Sequence, residues 1–204
     1  MDKQLGKELR KTFEEMMKTM LPSFQRVKQN NSPNGSRTFR SSLCNDLYAY
    51  IELQPSQKFN WFAVELAVSL SDSFPSSCLV FVESKYNLET LQELFIKGKG
   101  SVRFFLGECN ENTGQFSQGQ WKVSAQRRVD DPYSLNEAPP QNFGFDFDSF
   151  SKPPPVINDD DKALIKTSLD KAFNLLDEYG KTFFSDAMVC LSDCAKKVRR
   201  RGGE

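Results

Sequence analysis

The chain has 204 residues, with 27 basic and 27 acidic side chains and no histidine. Without histidine it lacks the commonest acid–base group near neutral pH, the usual partner of a nucleophilic Ser or Cys, and a frequent zinc or iron ligand. Balanced charge excludes the whole-chain basic field of a general nucleic-acid or membrane binder. No apolar run approaches a membrane span and MDKQLGKELR has no signal-peptide core, so a cytoplasmic protein with no membrane partner is expected.

Taken in order, Lys3 to Met20 places Leu5, Leu9, Phe13, Met16, Met17 and Met20 at helical spacing, and Pro22 follows. Phe24 and Val27, the Asn-Asn-Ser-Pro-Asn-Gly cluster, and Thr38, Phe39 and Arg40 then predict a hairpin. Leu47 to Leu53 and Phe59 to Leu70 are rich in aromatic and β-branched residues and predict two strands of a meander. In the first, Tyr48, Tyr50 and Glu52 alternate with Leu47, Ala49, Ile51 and Leu53. Cys78 to Val82 is a third apolar run, Asn87 to Lys97 a helix with Asn87 as its cap, and Val102 to Leu106 a short strand. After Gly107 the periodicity fades, with Trp121 and Val123 left as one edge strand.

Residues 130–157 form a Pro-rich connector in which Phe143, Phe145, Phe147 and Phe150 alternate with Gly144, Asp146 and Asp148. Such a tract either docks in a partner's groove or folds back on its own sheet. The segment 158–204 opens with Asn158 as a candidate cap and a negative first turn, Asp159 to Asp161, and ends on the basic run Lys196 to Arg201. Between them Ile165, Leu169, Ala172, Leu176, Tyr179, Phe183, Ala187, Cys190 and Cys194 recur every three or four residues, a seam of coiled-coil type. Phe173, Phe184, Met188 and Leu191 widen it. Gly180 leaves open whether the helix is continuous or hinged.

The sharpest catalytic constellation is Glu83-Ser84-Lys85 at the end of the run Leu79 to Val82. An acid and a lysine two apart on a strand share a face, so a carboxylate can hold Mg²⁺ beside an ammonium; Asp72 or Glu65 would supply a second ligand. This arrangement resembles the PD-(D/E)xK nuclease superfamily. Glu83 and Lys85 match the second half of that motif, and Asp72 stands for its first half without the preceding proline.

The five cysteines, Cys44, Cys78, Cys109, Cys190 and Cys194, contain no Cys-x-x-Cys pair and fit reduced thiols. Neither Gly98-Lys99-Gly100 nor Gly114 to Gly119 matches a nucleotide loop, so no ATP or NAD is expected. Lys97, Lys99, Arg103, Lys122, Arg127 and Arg128 and the basic tail keep nucleic acid open as a partner.

Thr38-Phe39-Arg40, then Ile51-Glu52-Leu53-Gln54-Pro55-Ser56, then Phe59 to Leu70 and Phe74-Pro75 carry a second resemblance, covering about the first 75 to 85 residues. They look like a group of small uncharacterised bacterial domains. That resemblance implies a bacterial α+β domain with no activity to carry over.

These observations together predict an α+β protein. A mostly antiparallel sheet of five or six strands packs with an N-terminal and a middle helix in residues 1–129, followed by the connector and a long C-terminal helix. The function expected is non-catalytic: a cytoplasmic bacterial interaction module, an accessory subunit of a multi-protein system or an immunity protein, with no cofactor. Its partner is a protein, in a hetero-complex or in a homodimer through the C-terminal helix. Phe143, Phe145, Phe147, Phe150, Phe183 and Phe184 are its candidate contacts. The alternative is a Mg²⁺-dependent nuclease using Asp72, Glu65, Glu83 and Lys85.

Overall fold

The computed structural model describes residues 1, 3–28, 35–44, 47–56, 60–75, 88–109, 116–124 and 157–201. They form an α+β structure in which an antiparallel sheet carries helices from the N-terminus, the middle and the C-terminal end of the chain.

Helix α1 (Lys3–Met20) has the expected bounds, and its Leu5, Leu9, Phe13 and Met17 are buried along one face. It ends where Pro22, which has no amide hydrogen to continue the ladder, follows a last bond from the Leu21 amide to the Met17 carbonyl. The strands β1 (Gln25–Val27), β2 (Arg37–Cys44), β3 (Leu47–Pro55) and β4 (Trp61–Ser69) then form an antiparallel meander. Helix α2 (Leu88–Lys97) follows, with Leu91 and Phe95 buried.

The chain returns as β5 (Ser101–Phe105), antiparallel to the second half of β4. Two strands, β6 (Gly107–Cys109) and β7 (Phe116–Gln118), make a separate hairpin. The last, β8 (Trp121–Lys122), pairs with the start of β4. The β6–β7 pair left no mark in the sequence because a three-residue strand is too short to display an alternation.

Alternation sorts the meander into two faces. Phe39, Ile51 and Leu66 lie in one cross-strand row, Ala49, Val68 and Val102 in the next; with Leu47, Leu53, Phe62 and Val64 they form the apolar face. The helices cover it. Phe13 of α1 meets Phe39 at 5.8 Å between ring centroids and Phe173 of the C-terminal helix at 5.5 Å. Phe24, just beyond α1, meets Phe184 at 5.6 Å. The residues of segment 158–204 that pack inward belong to the same hydrophobic cluster as the sheet.

The C-terminal helix runs as α3 (Asp159–Leu175), one π-turn (Leu176–Gly180) and α4 (Lys181–Arg201) without a break. Asn158 caps it, its side chain accepting from the Asp161 amide at 2.7 Å, with three aspartates in the first turn complementing the helix dipole. Ser168 Oγ donates to the Lys122 carbonyl at 2.6 Å, fastening α3 to β8, and Gln92 Nε2 donates to the Cys190 carbonyl at 3.1 Å, fastening α2 to α4.

Gly180 does not hinge this helix. A Cβ there would stand 2.5 Å from Leu176 Cδ1 and 3.2 Å from Leu66 Cδ1, so glycine lets the helix axis close onto the sheet. The inward seam is corrected at this point: Tyr179 faces solvent and Gly180 takes the inward place, because the gap over Leu66 admits no side chain. We expect Gly180→Ile to lower stability by about 1–3 kcal/mol through overpacking. Gly180→Ala should fall well short of the ~1 kcal/mol gain that its helix propensity alone would give. Urea denaturation of both variants checks this.

Candidate functional site

The second face of the sheet carries the charged residues. Reading the register across the strands, one row is Thr38, Glu52, Glu65 and Phe105, and the next is Arg40, Tyr50, Ala67 and Arg103. Glu52 and Glu65 are therefore direct neighbours on β3 and β4, with side chains on the same face. Both are 1% exposed. Two carboxylates in that position need compensation, and it is provided. Arg103 Nη2 forms an ion pair with Glu65 Oε2. Thr38 Oγ1 donates to Glu52 Oε1 at 3.3 Å, and Gln54 Nε2 donates to Glu52 Oε2 at 3.2 Å.

The turn after β4 folds back over this face on three side-chain donors. Tyr50 Oη donates to the Ser71 carbonyl at 2.7 Å, Arg40 Nη1 to the Asp72 carbonyl at 2.7 Å, and Arg103 Nη1 to the Pro75 carbonyl at 2.8 Å. Rings complete the cover: Phe74 stands edge-on to Tyr50 at 5.8 Å, and the Arg103 guanidinium lies 4.7 Å from the Phe74 ring centre. Arg40 stacks on Tyr48 in the same way at 4.8 Å.

Compared with known proteins, the chain matches no family model, no curated protein and no solved structure. Its chemistry is read from its own residues. Among the described residues no helix is long and apolar enough to cross a membrane.

Burial raises the pKa of Glu65 above the ordinary carboxylate value; Arg103 pulls it back, and the fall is incomplete. Burial also pushes the Tyr50 hydroxyl up to about 12, so it stays protonated and serves as a donor. The site thus holds a carboxyl whose pKa burial raises, beside the guanidinium that pairs with it and a second carboxylate.

Of the expected nuclease residues, Glu83 and Lys85 lie outside the described residues. Glu65 sits mid-strand, engaged by Arg103. Asp72 lies in the turn three residues beyond β4, where its main chain holds Arg40. Among the described residues no three acidic or cysteine side chains converge as a metal-ligand group.

The Phe143, Phe145, Phe147 and Phe150 tract also lies outside them. Phe183 and Phe184, expected to meet a partner, are corrected to core residues at 0% and 9% exposed, since they fill the space between the helix, Phe24 and the sheet. Cys190 is a buried free thiol and Cys44 a half-buried one. The residues that organise the face, Glu52, Arg103, Thr38 and Gln54, were missed as a group. The available signal was the phase of the β3 alternation, which puts Glu52 with Tyr48 and Tyr50.

Arg103→Met leaves the Glu65 carboxylate buried and unpaired, and should cost about 3–5 kcal/mol at neutral pH. Arg103→Met/Glu65→Leu should recover most of that loss. A raised folded pKa means the folded chain binds the Glu65 proton more tightly than the unfolded chain. The stability Glu65 contributes is then fully present below its unfolded pKa and lost as pH rises through its folded value. Relative to Glu65→Gln, the wild type should therefore gain stability as pH falls from 8 toward 4, measured by urea unfolding at each pH.

Proposed function

We propose that this chain is a non-catalytic protein-interaction module of the bacterial cytoplasm, an accessory subunit of a multi-protein system or an immunity protein. The observation that carries this reading is on α4. Its inner face is filled by Phe183, Phe184, Ala187 and Leu191, yet Met188 is 43% and Val189 71% exposed. Single exposed apolar residues are ordinary, but these two are adjacent, and they do not stand alone. Tyr179 is exposed on the π-turn before α4, and Ile96 is exposed on α2, which packs beside α4. A partner helix or sheet edge laid over these residues buries apolar surface that water now covers.

The sheet's polar face supports the same reading. Its two glutamates are committed to Arg103, Thr38 and Gln54, the pattern of a face locked for structure rather than one holding a carboxylate ready for chemistry. The Phe143 to Phe150 tract belongs to the proposal as a second contact.

Substituting Met188→Glu together with Val189→Glu tests the proposal. Both are surface changes and should leave stability within about 0.5 kcal/mol. The wild type, purified from its native host, should carry a stoichiometric partner or a second copy, read by light scattering and mass spectrometry, and the variant should lose it. A variant that assembles as the wild type does overturns the assignment of this surface.

A further inference from the structure

A second surface, on the opposite end of the chain, has a different chemistry. Lys3, Lys7, Arg10, Glu14 and Lys18 follow one another on α1 at intervals of four, three, four and four residues, which places them on one flank of the helix. Glu8 and Glu15 fall on the other flank. From the sheet, Arg26 on β1 and Arg37 on β2 approach the same flank, and both engage its carboxylate Glu14. Arg37 Nε stands 2.6 Å and Arg26 Nη1 3.2 Å from Glu14 Oε1. Arg37 is fixed further by donation from Nη1 to the Ser36 carbonyl at 2.9 Å.

Arg10 is the centre of this group. Its Nη1 stands 3.1 Å from where a Cβ on Gly6 would lie and 3.2 Å from where one on Gly35 would lie, so the guanidinium sits in a slot that two missing side chains create. Gly35 is held at φ +91°, a conformation that favours glycine. Among the described residues Arg10 makes no ion pair, because Glu14 is taken up by Arg26 and Arg37. Two guanidiniums share that carboxylate, and the third stands beside them. Burial and then the neighbouring Arg37 charge hold the Arg10 pKa below its usual value, while Glu14 pulls it back up.

We infer that this flank binds the phosphate backbone of a nucleic acid, with Arg10 as the central anchor and Lys3, Lys7 and Lys18 extending the track. Three observations select this partner. Lys3 to Lys18 spans about 22 Å at 1.5 Å per residue. At 3.4 Å per nucleotide that is the length of roughly six or seven nucleotides. Guanidinium forks match phosphate oxygens. A lipid surface fits poorly, since the apolar face of α1, Leu5, Leu9, Phe13 and Met17, is already buried in the core and has nothing to insert. The neutral total charge of the chain conceals this segregation, which depends on the fold bringing Arg26 and Arg37 to α1.

The test is fluorescence anisotropy with a labelled 20-base-pair duplex between 50 and 200 mM salt. Lys3→Gln/Lys7→Gln/Arg10→Gln should weaken binding at least tenfold at low salt and reduce the slope of log K against log salt by about 2.7, at ~0.9 per cation. Lys166→Gln/Lys171→Gln, on the exposed side of α3, should bind as the wild type does. Lys3→Gln/Lys7→Gln alters only exposed side chains and should still weaken binding severalfold if the Arg10 change impairs folding. Equal affinity of the wild type and the α1 variants overturns the inference. So does tighter binding to poly-glutamate, or to vesicles of anionic lipid, than to the oligonucleotide.

Discussion

The structure depends on covering one apolar sheet face with helices drawn from both ends of the chain. Phe13 touches Phe39 beneath it and Phe173 beside it, so a single ring joins the first helix, the sheet and the last helix. Aromatic pairs of this kind add roughly 0.5–1.5 kcal/mol each beyond the area they bury. Their larger effect is geometric, because they fix how α1 and α3 lie against each other. The close pass of Gly180 over Leu66 then carries the C-terminal helix over the sheet toward α2, where Gln92 meets Cys190.

The opposite face solves a different problem. Glu52 and Glu65 meet at neighbouring positions with Arg103 and Thr38 around them, and a buried ion pair is weak evidence of added stability. Its value lies in alignment. A one-residue slip of β3 or β4 would turn a glutamate into the apolar core and an aliphatic residue out of it, so the carboxylates penalise every wrong pairing of the meander. The same face ties down the turn after β4 through Tyr50, Arg40 and Arg103, which makes strand alignment and turn position one structural event.

Much of this was legible in the chain. Helix α1, the two long strands, the bounds of α2 within one residue and the Asn158 cap follow from periodicity and cap chemistry, both local properties. The arrangement of the polar face was not, because it depends on register. Glu65 was visible as an acid on a strand, but its neighbour Glu52 stands 13 residues earlier and its counter-ion Arg103 38 residues later, and only strand pairing brings them together. Tyr179 misled for a related reason: spacing of three and four admits it to the inward seam, and only the proximity of Leu66 assigns that place to a glycine. The basic flank of α1 was hidden by a sum, since 27 charges of each sign cancel on paper and separate in space.

The dependence on both chain ends also sets a timetable for synthesis. The β1–β4 meander is complete at Ser69, whereas α3 begins at Asp159, 90 residues later. At a translation rate of about 5–20 residues per second, the apolar face formed by Leu47, Ile51, Leu53, Val64 and Leu66 waits roughly 5–20 s for the end of its cover. During that interval only α1 and the later α2 shield it, and a growing chain with a partly exposed aliphatic sheet is the kind of client that ribosome-associated chaperones hold. The late closure makes this protein's yield a matter of kinetics on the ribosome as much as of its final stability.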